Sequence, residues 1–157
     1  MRVLVTGATG FVGGRLVPAL LDAGHDVTAL VRDADSYDPP SDDVRVAEGD
    51  LLEPGSFEAA LDGIDAAYYL VHSMRAGSDF EERDRRAARN FVDAADAAGV
   101  ERVVYLGGLG ETGEELSEHL RSRREVESIL ADGDAALTTL RAAIIVGRGS
   151  ASFEMVR

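Results

Sequence analysis

The 157-residue chain contains no cysteine and no lysine. The first absence excludes disulfides, a thiolate nucleophile and any cysteine-ligated metal. The second leaves arginine as the source of all 16 Lys+Arg charges, against 29 carboxylates, for a net charge of -13 at pH 7. Nucleic acid and anionic membranes are polyanions that need clustered basic residues, so this balance excludes both as partners. Long hydrophobic runs are missing too: none approaches the roughly 18 residues that cross a bilayer, and Met1 runs into strand-like sequence with no basic leader or cleavage site. A cytoplasmic location follows as the expectation. The three histidines, His25, His72 and His119, are too far apart for short ligand spacing, so no metal site is expected. The surplus of acid has two readings, a well-solvated surface or adaptation to a high-salt cytoplasm in which dense carboxylates hold water.

What is present is 45% hydrophobic residues, enough for one domain with a real core. Residues 2–6 are rich in β-branched side chains and alternate little, as in a strand buried on both faces of a parallel sheet. A glycine loop opens a helix that places Val12, Leu16, Ala19 and Leu20 on one side, with Pro18 inside and Gly24 as a C-cap candidate. Asp26–Arg32 reads as a second strand, and the acidic, proline-containing residues 33–43 as a loop replacing a crossover helix. Residues 44–51 read as strand three, 54–63 as a short helix and 65–73 as strand four. A long helix over Ser78–Ala98, with Ser78 as a possible N-cap, carries i, i+4 pairs Glu81–Arg85 and Glu82–Arg86 on a solvated face. Strand five over 101–108, a helix over 113–130 and strand six over 135–145 complete the alternation, and an amphipathic helix begins in "GSASFEMVR". Strand and helix alternating throughout predicts an α/β, Rossmann-type doubly wound parallel sheet of order 3-2-1-4-5-6 flanked by helices.

Gly7, Gly10 and Gly13 stand between the first strand and the first helix. In that setting the first glycine makes a tight turn, the second lets backbone approach a pyrophosphate, and the third lets helix pack on sheet. The competing reading is a glycine-rich turn with no ligand. At the end of strand two an acid would bind a ribose 2′-hydroxyl and an arginine a 2′-phosphate. Arg32 holds that slot with Asp33 next to it, which favours NADP over NAD; otherwise Arg32 is a solvated arginine. After strand three, Asp50 and the backbone of Leu51 are placed to meet an adenine ring, with a turn-forming Asp50 as the alternative. Candidate cofactor contacts are thus Gly7, Thr9, Gly10, Phe11, Val12, Gly13, Arg32, Asp50, Leu51, Val71, His72 and Ser73, the last two beside the expected nicotinamide.

The segments "VTGATGFVGGRLV", "EGDLLEP", "AADAAGVERVVYLGG" and "TTLRAAIIVGRGS" resemble the extended and atypical short-chain dehydrogenase/reductases, above all NmrA-like and nucleoside-diphosphate-sugar-epimerase-like members. The resemblance spans the chain and implies a dinucleotide cofactor, a small-molecule substrate bound by a C-terminal region beyond residue 157, and a possible homodimer through the long helices. It also implies a Tyr-x-x-x-Lys pair, a serine and an asparagine for proton transfer. None of the four is present here: His119 and Arg123 fill the pair's slots, Gly107 and Gly108 the serine region, and Asp84 the asparagine position. His119 can serve as acid or base, and Arg123 can hold an anion but not release a proton. Two function classes follow: an NAD(P)-dependent oxidoreductase or epimerase using His119 and Arg123, or a non-catalytic dinucleotide-binding redox sensor or complex-assembly factor.

Overall fold

Aliphatic and β-branched runs at Arg2–Thr6 (β1), Asp26–Val31 (β2), Arg45–Glu48 (β3), Ala66–Tyr69 (β4), Arg102–Gly108 (β5) and Ala136–Ala142 (β6) form one parallel sheet of order β3-β2-β1-β4-β5-β6. That is the expected order. The computed structural model describes residues 1–72, 79–109 and 117–148. Register decides which face each side chain joins: Val3 pairs with Val27 on one side and Ala66 on the other. Val3, Val5, Val27, Ala29 and Val31 therefore point to the layer filled by Val17 and Leu20 of the helix Gly13–Asp22 (α1). Leu4, Ala67, Tyr69, Val103 and Tyr105 point the other way, onto the helices Phe80–Ala98 (α2) and Glu118–Ala131 (α3). In this second layer Phe91 meets Tyr69 edge-on at 5.0 Å between ring centres, a favoured aromatic geometry. A strand covered on both faces has no reason to alternate, which is why β1 reads as a continuous apolar run.

Helix ends follow local chemistry. Gly24, at φ 80°, turns the chain out of α1 while its N–H donates to the Leu21 carbonyl at 2.8 Å and that of His25 to Leu20 at 3.0 Å. Several expectations are corrected. The buried stripe of α1 is Gly13, Val17 and Leu20, and Ala19 faces solvent, because the contact of Gly13 with the loop sets the helix's rotation. The helix expected over 54–63 shrinks to one 3-10 turn, Glu58–Leu61, whose Glu58 carboxylate turns back to accept from the Gly55 and Phe57 N–H groups. Strands three, four and six are shorter than expected because pairing stops where each segment leaves the sheet for a loop. On α2 the i, i+4 pairs are replaced: Arg85 binds Glu82 at 3.0 Å and Glu125 of α3 at 2.6 Å, and Glu81 binds Arg121 of α3 at 3.1 Å. The charged face is thus a seam between helices. Ser78 and the "GSASFEMVR" segment lie outside the described residues. Among the described residues no helix is long and apolar enough to cross a membrane, and no cluster of His, Asp or Glu is placed to hold a metal.

Candidate functional site

The glycine loop leaves β1 through Thr6, which is buried and ties two strands together. Its Oγ1 donates to the Tyr68 carbonyl at 3.0 Å and accepts from the Leu70 N–H at 3.1 Å. Gly7 follows at φ 68°, with a Cβ position 3.0 Å from the Leu70 carbonyl oxygen, so a side chain there is both strained and crowded. Gly13 packs its bare Cα against the Gly7 carbonyl and within contact of Ala8, which is what brings α1 down on the loop. Between them Gly10 donates to the Gly7 carbonyl at 3.0 Å and is exposed. The exposed turn residues Thr9 and Gly10 therefore leave backbone open at the N-terminus of α1, where N–H groups and the helix dipole favour an anion. The cradle fits a pyrophosphate. Arg15 braces it: the guanidinium lies 3.7 Å from the centre of the Phe11 ring and donates to the Phe11 carbonyl at 2.9 Å and the Arg148 carbonyl at 2.7 Å.

Beyond the cradle, Arg32 stands exposed directly after β2. Among the described residues it has no ion pair. Asp33 is engaged: its two carboxylate oxygens accept from the Ser36 N–H at 3.2 Å and hydroxyl at 2.6 Å, and the Ser36 hydroxyl holds its carboxyl below the usual range. Asp50 Oδ1 accepts from the Leu52 N–H at 2.9 Å, a turn-forming bond, which leaves Oδ2 for any adenine contact. Leu51 is buried, and Asn90 of α2 donates to its carbonyl at 2.7 Å, fixing this loop from below.

On the other side of the cradle a cleft of about 420 Å³ opens at the carboxyl ends of β1, β4, β5 and β6. His72, His119 and Arg123 all line it. His72 keeps an open face, yet the protein crowded around it disfavours the imidazolium, and the positive charge of Arg123 adds to this, so its pKa lies below the ordinary 6.5. His119 projects from the first turn of α3, a helix capped by the Ser117 hydroxyl, and its ring rests on Phe80 at 4.8 Å. Arg123 lies one turn further on. Its carbonyl accepts from the Tyr105 hydroxyl at 3.0 Å, and burial pushes that phenol up to about 12, keeping it a neutral donor. Beneath them Asp84, buried, accepts from Ser122 at 3.2 Å. At Gly108 a Cβ would come 2.7 Å from Leu120 and 3.2 Å from the Arg123 stem, so these two side chains pack over the end of β5.

The structure thus brings Gly7, Gly10, Phe11, Val12 and Gly13 into one cleft with His72, His119 and Arg123. Arg32, Asp50 and Leu51 follow β2 and β3 on the far side, Val71 is half-buried against the core, and Ser73 lies outside the described residues. Sequence reading missed Thr6, Arg15, Phe80, Asn90 and Tyr105. Only Thr6 carried a local signal, as the residue before the turn glycine.

An anion cradle at a strand-to-helix turn, opening into a cleft at the carboxyl ends of a parallel sheet, defines a dinucleotide-binding protein. The profile of the NAD(P)H-binding family matches residues 7–145, and the chain belongs to that family. It is 38% identical over 114 residues to the 3 beta-hydroxysteroid dehydrogenase/Delta 5-->4-isomerase of Mycobacterium tuberculosis, covering 66% of this chain and 30% of that one. The triphenylmethane reductase of Citrobacter sp., solved with NADP(H), superposes with a TM-score of 0.79 at 25% identity, over 93% of this chain and 50% of its own. WbmG of Bordetella bronchiseptica, solved with NAD, gives 0.79 at 22% identity over 94% and 54%, a likeness of fold. The chain therefore spans 30% of the mycobacterial relative and about half of the two solved chains. The expected resemblance holds to this extent: the sequence profile is that of an NAD(P)H-binding family, relatives in sequence are named dehydrogenase and reductase, and the fold is shared with the solved chains.

Proposed function

We propose that this chain forms the dinucleotide half of an oxidoreductase or nucleoside-diphosphate-sugar epimerase that prefers NADP, with the substrate region contributed by sequence outside these residues. One observation carries the reading: the glycine cradle and the trio His72, His119 and Arg123 share a single cleft. A bound nicotinamide supplies or accepts hydride. Around it, the chain's own residues have distinct tasks. Gly7, Gly10 and Gly13 admit the pyrophosphate, His119 exchanges a proton from an exposed ring steadied by Phe80, and Arg123 supplies a fixed positive charge. The preference for NADP is supported by Arg32, exposed where a 2′-phosphate would fall, while Asp33 is tied to Ser36. Calorimetric titration of NADPH and NADH tests it. Arg32→Ala is expected to weaken NADPH by about tenfold to hundredfold and NADH by less than about threefold. An equal effect on both removes the preference.

A second reading, a non-catalytic dinucleotide sensor, is supported by the absence of the Tyr-x-x-x-Lys pair, since a chain without lysine holds His119 and Arg123 in those slots. Tight dinucleotide binding with no hydride transfer to any carbonyl or sugar nucleotide would support it. The acidic surplus of 29 carboxylates over 16 basic residues further supports a high-salt cytoplasm as the working environment.

A further inference from the structure

Among the described residues the ionisable groups lining the cleft are His72, His119 and Arg123, all basic. Among the described residues no carboxylate lines it, in a chain where acids outnumber Lys and Arg by 29 to 16. The rest of the wall is glycine, alanine and apolar side chains such as Leu70, Leu106, Leu120 and Ile144. A chance sample of this surface would be acidic.

Arg123 is built in rather than draped across. It is half-buried, its stem packs on Gly108, and the Tyr105 hydroxyl anchors its carbonyl. Among the described residues no carboxylate oxygen lies within 4.0 Å of its guanidinium. Arg85, Arg121 and Arg141 each have such a partner, at 2.6, 3.1 and 2.7 Å. The nearby buried carboxylate of Asp84 lies beneath the helix, accepting from Ser122. In a cleft walled largely by apolar side chains an oxyanion is the fitting partner for a guanidinium, whose planar fork suits carboxylate and phosphate. The pyrophosphate of a dinucleotide does not meet that need, because the glycine cradle at the start of α1 receives it across the cleft. The nicotinamide ribose is neutral.

We infer that the substrate is an organic oxyanion whose carboxylate or phosphate is held by Arg123, with its apolar part against the leucine and isoleucine wall and its reacting group within reach of His119. This rests on the dinucleotide reading, since the cofactor must occupy the glycine side for Arg123 to be left to the substrate.

The full chain, saturated with whichever of NADP+ or NAD+ binds more tightly, is titrated with benzoate, phenyl phosphate and the neutral isostere benzamide. Benzoate or phenyl phosphate is expected to bind about tenfold to hundredfold more tightly than benzamide, and the stronger of the two identifies the oxyanion. Arg123→Gln is expected to bring the anions within about threefold of benzamide, and Arg123→Lys to restore part of the preference. Circular dichroism confirms that each variant is folded, and a misfolded glutamine variant leaves the wild-type ratio and the lysine variant to decide. Equal binding of anions and benzamide to the saturated wild type overturns the inference and leaves the cofactor reading standing. Displacement of the dinucleotide by the anions also overturns it, because Arg123 would then serve the cofactor's own phosphates. Failure of both dinucleotides to bind overturns the cofactor reading, and the inference with it.

Discussion

His72 shows how a residue takes its chemistry from neighbours its sequence context does not name. Crowding by protein disfavours its charged form, with the positive charge of Arg123 acting in the same direction and a backbone hydrogen bond and Asp84 opposing them. The folded state therefore releases this proton more readily than the unfolded chain. Between the lowered folded pKa and 6.5 the unfolded chain binds more protons, so stability falls as pH drops below 6.5 and recovers as pH rises through it. His72→Gln is expected to flatten that part of a plot of Tm against pH, and a proton NMR titration to place the wild-type ring below 6.5. A ring titrating at or above that value would contradict the crowding. Asp33 and Glu58, whose pKa values are lowered by hydrogen bonds, act in a different window: their contribution is lost only as pH falls below the ordinary carboxylate range. The glycines were legible in sequence because close approach of backbone excludes every other residue type. Phe80 under His119 was not, since the residues that meet stand 80 and 119 in the chain.

At the level of elements, α2 and α3 are joined by two kinds of polar link of unequal weight. Arg85 bridges Glu82 and Glu125 at the rim, where water screens the charges, and such pairs contribute about 0–1 kcal/mol. Ser122 donates to Asp84 in the buried seam, and removing a donor from a buried carboxylate costs about 1–3 kcal/mol. Ser122→Ala is therefore expected to lower stability more than Arg85→Ala, by denaturant unfolding with an unchanged m-value. The reverse order would mean that the rim, rather than the seam, fixes α3 and the His119–Arg123 turn it carries. The sequence placed Glu81, Glu82 and Arg85 on one helix, but i, i+4 spacing is a rule for an isolated helix. Once α3 packs alongside, Glu125 and Arg121 compete for the same partners and win.

Over the whole molecule, a net charge of -13 disfavours the compact state by self-repulsion, and salt relieves it. The Tm is expected to rise between about 0.1 M and 2 M NaCl, where the few surface ion pairs lose little because each contributes little. A Tm equal at low and molar salt would overturn the high-salt reading. The sheet order, the α1 cradle and the ends of α1 were legible in the sequence, because strand-helix alternation, glycine spacing and the cap at Gly24 are constraints between residues close in the chain. Parallel crossovers of right-handed sense then leave little choice of topology. The rest depended on residues that meet only after the sheet has formed. Arg15 reaching the Arg148 carbonyl, Asn90 fixing Leu51 and Tyr105 anchoring Arg123 each join segments 18 to 133 positions apart. So the sequence by itself determined that a tight glycine turn joins the first strand to the first helix, and what shape of sheet presents it. Only the tertiary structure decided that, among the described residues, the ionisable groups of its cleft are basic within an acidic protein, because burial and distance, unlike spacing, are properties of the packed chain.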